Sequence, residues 1–166
     1  MLGKYVAEMI CFAIFEDEEN KKIFDLFTEW RKIEIGKNSA IHSGCYISGC
    51  NLKLGDASYI NRNCLIDANH AQVIIGNNVG IGYASILLTI CHDYSNADKR
   101  TGDVYGKSIT VKDGVWVGGG VLICPGVTIE EGCVIAAGSV VTKNCEKNGV
   151  YGGNLAKLIK KLDTLQ

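Results

Sequence analysis

Two short stretches of this chain concentrate side chains able to do chemistry. "TICHDYSN" (89–96) holds His92 directly followed by Asp93, and "DANH" (67–70) holds Asp67, Asn69 and His70. Imidazole titrates near neutrality, so a histidine on an accessible segment can move a proton at physiological pH. The third histidine, His42, stands apart from both. Eight cysteines form a second candidate set, but no two have Cys-x-x-Cys spacing, the closest being Cys45 and Cys50. They read as reduced thiols of a cytoplasmic protein, with neither a disulfide framework nor a metal. The net charge of -1 and pI near 6.3 supply no basic field for a phosphate backbone, which argues against a nucleic-acid partner.

The elements that must position these residues come in two kinds. "YVAEMICFAIF" (5–15) is apolar but interrupted by Glu8 and followed by "EDEEN", so it is expected to be neither a signal peptide nor a bilayer span. It predicts an amphipathic helix. Ile23, Phe24, Phe27 and Trp30 fall at helical spacing and predict a second one, so residues 1–34 read as a helical appendage.

From Ile35 onward an aliphatic residue recurs at every sixth position, in five triplets: Ile35, Ile41, Ile47; Leu54, Ile60, Ile66; Ile75, Ile81, Leu87; Val111, Val117, Ile123; and Ile129, Ile135, Val141. Four residues after a marker the side chain is small in nearly every case, as at Ser39, Cys45, Ser58, Cys64, Ser85 and Cys133, with Asn51 and His70 as exceptions. Three six-residue strands close a triangular coil whose markers point inward. Stacking such coils buries an aliphatic column and satisfies each strand's backbone on its neighbours. Residues 35–166 are therefore expected to form an all-β parallel helix of about five coils.

The interruptions of the rhythm all fall between triplets, so every insertion leaves from the same corner. The largest spans 88–108. As a hidden coil it would bury Asp93, Lys99 and Tyr105, and the unpaired charges forbid that. It is expected to be an extruded loop. Loops on a rigid scaffold tend to carry function, and this one carries His92 directly above the "DANH" insertion.

The hexapeptide markers, "YINRNCLIDA", the "HDY" loop, "VWVGGGVLICPGVTIEEGCVIAAGSVVTK" and the closing "GGNLAKLIKKL" resemble the hexapeptide-repeat acetyltransferases, in particular the galactoside and maltose O-acetyltransferase group. The resemblance implies a left-handed parallel β-helix with a C-terminal helix, assembled as a homotrimer with acetyl-coenzyme A lying between two prisms. It implies an acetyl group passed to a sugar hydroxyl, with His92 as the catalytic base. Asn61, Tyr59, Asp67 and Asp93 match acceptor-side positions, Asn69 being the rival to Asp67. Trp116, Gly119, Ala137, Thr142, Lys143 and Lys160 match positions along coenzyme A. The family's "GNPAK" has Leu155 in place of its proline here.

Alternatives within this architecture are an amine acceptor on a nucleotide-linked sugar and a trimeric scaffold without chemistry. The γ-type carbonic anhydrases share the prism, but their zinc needs three histidine ligands. This chain lacks the H-x-x-x-x-H pair, and His42 lies two coils from the His92 loop.

Overall fold

The computed structural model of the chain describes residues 33–163, so the two expected N-terminal helices lie outside the described residues. The first coil comprises β1 (Glu34–Ile35), β2 (Ala40–Ile41) and β3 (Tyr46–Gly49). The second is β4 (Leu52–Leu54), β5 (Tyr59–Ile60) and β6 (Leu65–Ala68), and the third β7 (Val73–Ile75), β8 (Gly80–Ile81) and β9 (Ile86–Leu87). After β10 (Ile90–His92) and β11 (Val104–Gly106) the fourth coil follows as β12 (Ile109–Val111), β13 (Trp116–Val117) and β14 (Leu122–Ile123). The fifth is β15 (Thr128–Ile129), β16 (Val134–Ile135) and β17 (Val140–Val141), and the chain closes with β18 (Gly149–Gly152) and β19 (Lys157–Lys161).

Three parallel sheets form the faces of the prism. The first stacks β1-β4-β7-β12-β15, the second β2-β5-β8-β13-β16-β18 with β19 beyond, and the third β3-β6-β9-β14-β17. Every marker from Ile41 to Val141 is buried, while Ile35 at the open end is half-buried. Each buried aliphatic side chain contributes about 1.5–3 kcal/mol, so this column dominates the stability of the fold.

The small positions beside the markers do more than fit the corners. Ser39 Oγ donates to the Gly55 carbonyl at 2.6 Å and Ser58 Oγ to that of Gly76 at 2.7 Å, in each case one coil further on. Cys45, Cys64 and Cys133 present their thiols to the carbonyls of Asn61, Gly82 and Glu146 in the same way. The cysteines are thus compact side chains that also stitch neighbouring coils. The glycine after a marker answers a separate demand for close approach. A Cβ on Gly82 would lie 2.5 Å from the Gly118 carbonyl carbon.

The prism is longer than the aliphatic rhythm indicates. Cys145 bridges Ile129, β18 pairs with β16, and Asn154 bridges Val140, which makes a partial sixth coil. Cys145 and Tyr151 are buried in its marker positions, still six residues apart. Tyr151 closes the column with its ring inside, and its hydroxyl accepts the Glu146 N–H at 2.8 Å.

The expected C-terminal helix is not formed. Its residues build β19, antiparallel to β18. A helix this short is marginal in water, whereas the strand satisfies the open edge of the second face. Lys161 fixes its end on Glu146 at 2.9 Å. The 88–108 excursion also has more order than a loop: β10 and β11 form an antiparallel hairpin that registers Cys91 with Tyr105 and His92 with Val104. Among the described residues no helix is long and apolar enough to cross a membrane.

The corner between the first and second faces carries a ladder of side-chain acceptors. Asp56 Oδ1 accepts the Lys37 N–H at 2.7 Å, Asn77 Oδ1 accepts that of Asp56 at 2.8 Å, and Asp113 Oδ1 accepts that of Asn77 at 2.8 Å. The backbone N–H of Asn77, and then its side-chain amide, hold the Asp113 carboxyl below the usual carboxylate range. Its contribution to stability is therefore full above about pH 4, the ordinary value for the unfolded chain, and lost as pH falls through the lowered folded value. Asp113→Asn should consequently lose less thermal stability than the parent protein between pH 7 and pH 3. Melting curves at the two pH values check this, and an equal loss would remove Asp113 from the ladder's energetics.

Candidate functional site

His92 sits at the end of β10 on the hairpin that leaves between the third and first faces, and it is exposed. Its Nδ1 lies 3.4 Å from the Gly102 carbonyl across the hairpin. With the proton on Nδ1 donated to that carbonyl, Nε2 is left with a free lone pair, the arrangement needed to accept a proton. The backbone around this contact is locked: Asp93 N–H donates to Asp103 O at 2.8 Å and Gly102 N–H to Asp93 O at 2.9 Å. Gly102 must be glycine, because a Cβ there would lie 2.6 Å from the Asp93 carbonyl oxygen.

Asp93, which matches an acceptor-side position, follows His92 directly. Its carboxylate accepts the backbone N–H of Ser95 at 2.9 Å and the Ser95 hydroxyl at 3.1 Å, and these bonds hold its pKa below the ordinary value. The group that orients His92 is the Gly102 carbonyl. Side-chain types gave no signal for it, since the partner is backbone.

Asp67, expected to face the acceptor, is 7% exposed. Its Oδ2 accepts the Thr89 N–H at 3.2 Å, the Ile90 N–H at 3.0 Å and the Thr89 hydroxyl at 3.0 Å. Thr89 Oγ1 also lies 2.9 Å from the Asp67 carbonyl and is fully buried. This carboxylate holds the root of the His92 hairpin, one coil above it. The neck is closed by the Lys107 N–H on Thr89 O at 2.9 Å. At the same corner Asn69 is exposed, and His70 Nδ1 lies 3.7 Å from Asp67 Oδ1.

The remaining candidates occupy a different part of the prism. On the second face Tyr59, Gly80, Trp116, Val134, Val150 and Lys160 stand in one register column. Side chains sharing a register point to the same side of a sheet, so this column is one continuous outer surface. The Tyr59 ring lies over Gly80, whose Cβ would meet the phenol oxygen at 2.6 Å, and Trp116 is 60% exposed just beyond. Asn61, Gly119 and Ala137 follow at the corner between the second and third faces. A shallow recess of about 380 Å³ opens there, lined by His42, Tyr59, Asn61, Arg62 and Tyr83. His42, Arg62 and Tyr83 were not picked out from sequence. Arg62 and Tyr83 follow one residue behind the post-marker positions of successive coils, which was the available signal.

The candidates therefore divide between two corners. His92, Asp93, Asp67, Thr142 and Lys143 lie where the third face passes to the first. Tyr59, Asn61, Trp116, Gly119 and Ala137 lie on the second face and its corner with the third. The third face separates the groups: from Arg62 to Asp67 the extended chain advances roughly 16 Å at ~3.3 Å per residue. One chain does not bring the two sets together. The third face is itself apolar outside, with Tyr46, Leu65, Ile86, Leu122 and Val140 in one column, whereas the first is more polar, presenting Glu34 paired with Lys53 at 2.8 Å and then Ile74, Thr110 and Thr128. Among the described residues no group of three or more His, Cys, Asp or Glu is placed to hold a metal ion.

Residues 108–143 match the family described as bacterial transferase hexapeptide (six repeats). The chain is 35% identical over 130 residues to the galactoside O-acetyltransferase of Escherichia coli, covering 78% of this chain and 64% of that protein. It is 41% identical over 114 residues to a Saccharomyces cerevisiae protein named as an acetyltransferase candidate, covering 69% and 58% respectively. The matches span less than two thirds of the length of these curated relatives. A galactoside acetyltransferase in complex with coenzyme A superposes with a TM-score of 0.81 at 29% identity, over 98% of this chain and 80% of that one.

The hairpin root can be tested directly. Asp67→Asn keeps the shape but removes the charged acceptor, and hydrogen bonds to charged groups contribute about 1.5–3 kcal/mol. The amide protons of Thr89 and Ile90 should exchange roughly tenfold faster or more in the variant, measured by hydrogen exchange. Unchanged protection would show that Asp67 does not anchor the hairpin.

Proposed function

The chain belongs to the hexapeptide-repeat transferases, and within that family we propose that it transfers an acetyl group from acetyl-coenzyme A to a hydroxyl of a sugar or polysaccharide precursor, with His92 as general base. The observation that carries this reading is the contact of His92 Nδ1 with the Gly102 carbonyl, which leaves Nε2 open on an ordered hairpin. Nε2 takes the proton from the acceptor hydroxyl as its oxygen attacks the thioester carbonyl. The C–O bond forms, the C–S bond breaks, and the imidazolium returns the proton to the departing sulfur.

Tyr59 and Asn61 serve the acceptor, with Asn69 as the accessible polar group beside Asp67. Trp116, Gly119 and Ala137 flank the pantetheine arm, where small side chains and exposed backbone allow close approach. Thr142, Lys143 and Lys160 serve the anionic end, Lys160 standing at the head of the column that contains Trp116.

The division of these groups between two corners supports an active site completed by a second copy of the chain, as does the apolar outer column of the third face. A homotrimer of prisms is the closed assembly in which each third face finds a partner.

The test is a screen of sugar acceptors with acetyl-coenzyme A, following release of free thiol. His92→Ala is expected to lower kcat by roughly a hundredfold or more, the scale of losing a general base, with no change in melting temperature because the side chain lies outside the column. Parental turnover in that variant would rule out His92 as the base.

A further inference from the structure

We propose that the acceptor is an anionic sugar, carrying a phosphate or a carboxylate that is bound by Arg62. This rests on the reading of the second-face corner as the acceptor side, and it names the class of molecule that corner takes.

The recess beside Asn61 is lined by His42, Tyr59, Asn61, Arg62 and Tyr83. Its side chains offer a guanidinium, an imidazole, two phenols and an amide, and no carboxylate. Several other cations of the prism are engaged. Lys53 pairs with Glu34, Lys112 with Glu130 and Glu131, Lys161 with Glu146, and Arg100 donates to Tyr94 O at 2.6 Å. Arg62 has no carboxylate or carbonyl partner for its guanidinium among the described residues.

The base of Arg62 is nevertheless fixed. Its N–H donates to Asn61 Oδ1 at 2.9 Å and its carbonyl accepts the Ala84 N–H at 3.0 Å, which ties it to the next coil. The side chain thus projects from an ordered corner. Beside it the His42 and Tyr59 rings meet edge to face with centroids 6.5 Å apart, giving the recess a defined wall.

A guanidinium presents five donors in a planar fork that matches a carboxylate or a phosphate, and it accepts nothing. A neutral sugar is recognised through hydroxyls that both donate and accept, and its binding here leaves much of the fork without a matched acceptor. An anionic substituent satisfies the fork and the neighbouring donors at once. The volume of about 380 Å³ lies at the lower end of small-molecule sites, which suits a monosaccharide with its charged group.

The experiment uses the full chain and its Arg62→Gln and Arg62→Lys variants. Calorimetric titration with D-glucose 6-phosphate, D-glucuronate, D-glucose and inorganic phosphate measures binding, and thiol release from acetyl-coenzyme A with the three sugars measures turnover. Binding of an anionic sugar should be tighter than that of glucose, should weaken about 10- to 100-fold in Arg62→Gln, and should recover in part in Arg62→Lys. Preference for the phosphate or for the uronate identifies the source of the charge. Inorganic phosphate should compete if the group is a phosphate. Arg62-dependent binding without thiol release would uphold the anion site and overturn acetyl transfer. Efficient thiol release with glucose and no advantage for either charged sugar would uphold acetyl transfer and overturn the anionic acceptor. An unchanged ratio of charged to neutral binding in Arg62→Gln would also overturn it.

Discussion

A strand of two residues cannot satisfy its own backbone, and many of the strands described in this chain are that short. Its N–H and C=O groups depend on the coil before and the coil after, as when Tyr59 N–H meets Val79 O at 2.9 Å and Trp116 N–H meets Cys133 O at 2.9 Å. That dependence forces each coil to repeat the length of its neighbours. Extra residues must leave at a corner and return to the same corner, so that the ladder closes behind them. The third and fourth coils stack directly, with Leu88 N–H on Ile123 O at 3.1 Å, although the whole His92 hairpin lies between them in sequence.

Chemistry follows from this constraint in two ways. It gives the hairpin a rigid floor, because Asp67 reaches up from the coil below to hold Thr89 and Ile90 and so fixes where His92 begins. It also distributes the functional side chains by position within the coil. Residues just past a second-face marker, such as Asn61 and Arg62, can only appear at one corner, and residues past a third-face marker can only appear at the next. The prism holds both sets accurately and keeps them apart, which leaves the proposed reaction dependent on contact between copies.

Much of this was legible in the residues. The six-residue marker identifies the column because only a stacked coil buries aliphatic side chains at that interval, and the unequal steps between triplets locate the corner from which His92 departs. What was not legible lies where chemistry changes but geometry does not. The sixth coil keeps the six-residue step from Cys145 to Tyr151 but replaces aliphatic markers with a thiol and a phenol, so the pattern was lost at the point where the column is capped. The segment from Lys157 to Lys161 lacks any signal for a strand, since its conformation is set by the open edge of β18. The residues alone match Asp67 to the acceptor side. Only the position of the next coil turns its carboxylate inward, and that is a relation between residues 22 apart.

In the proposed homotrimer the active site draws His92 from one copy of the chain and Asn61 from another, and mixing of subunits tests this. His92→Ala and Asn61→Ala chains, each of low activity alone, would be unfolded together and reassembled at equal concentration, and thiol release measured with a confirmed sugar acceptor. In a ring with sites between neighbours, roughly a quarter of the sites regain both intact residues, so activity should recover to about that fraction of the parental value. Activity of the mixture no higher than the mean of the two variants would place both residues within one chain and contradict the account.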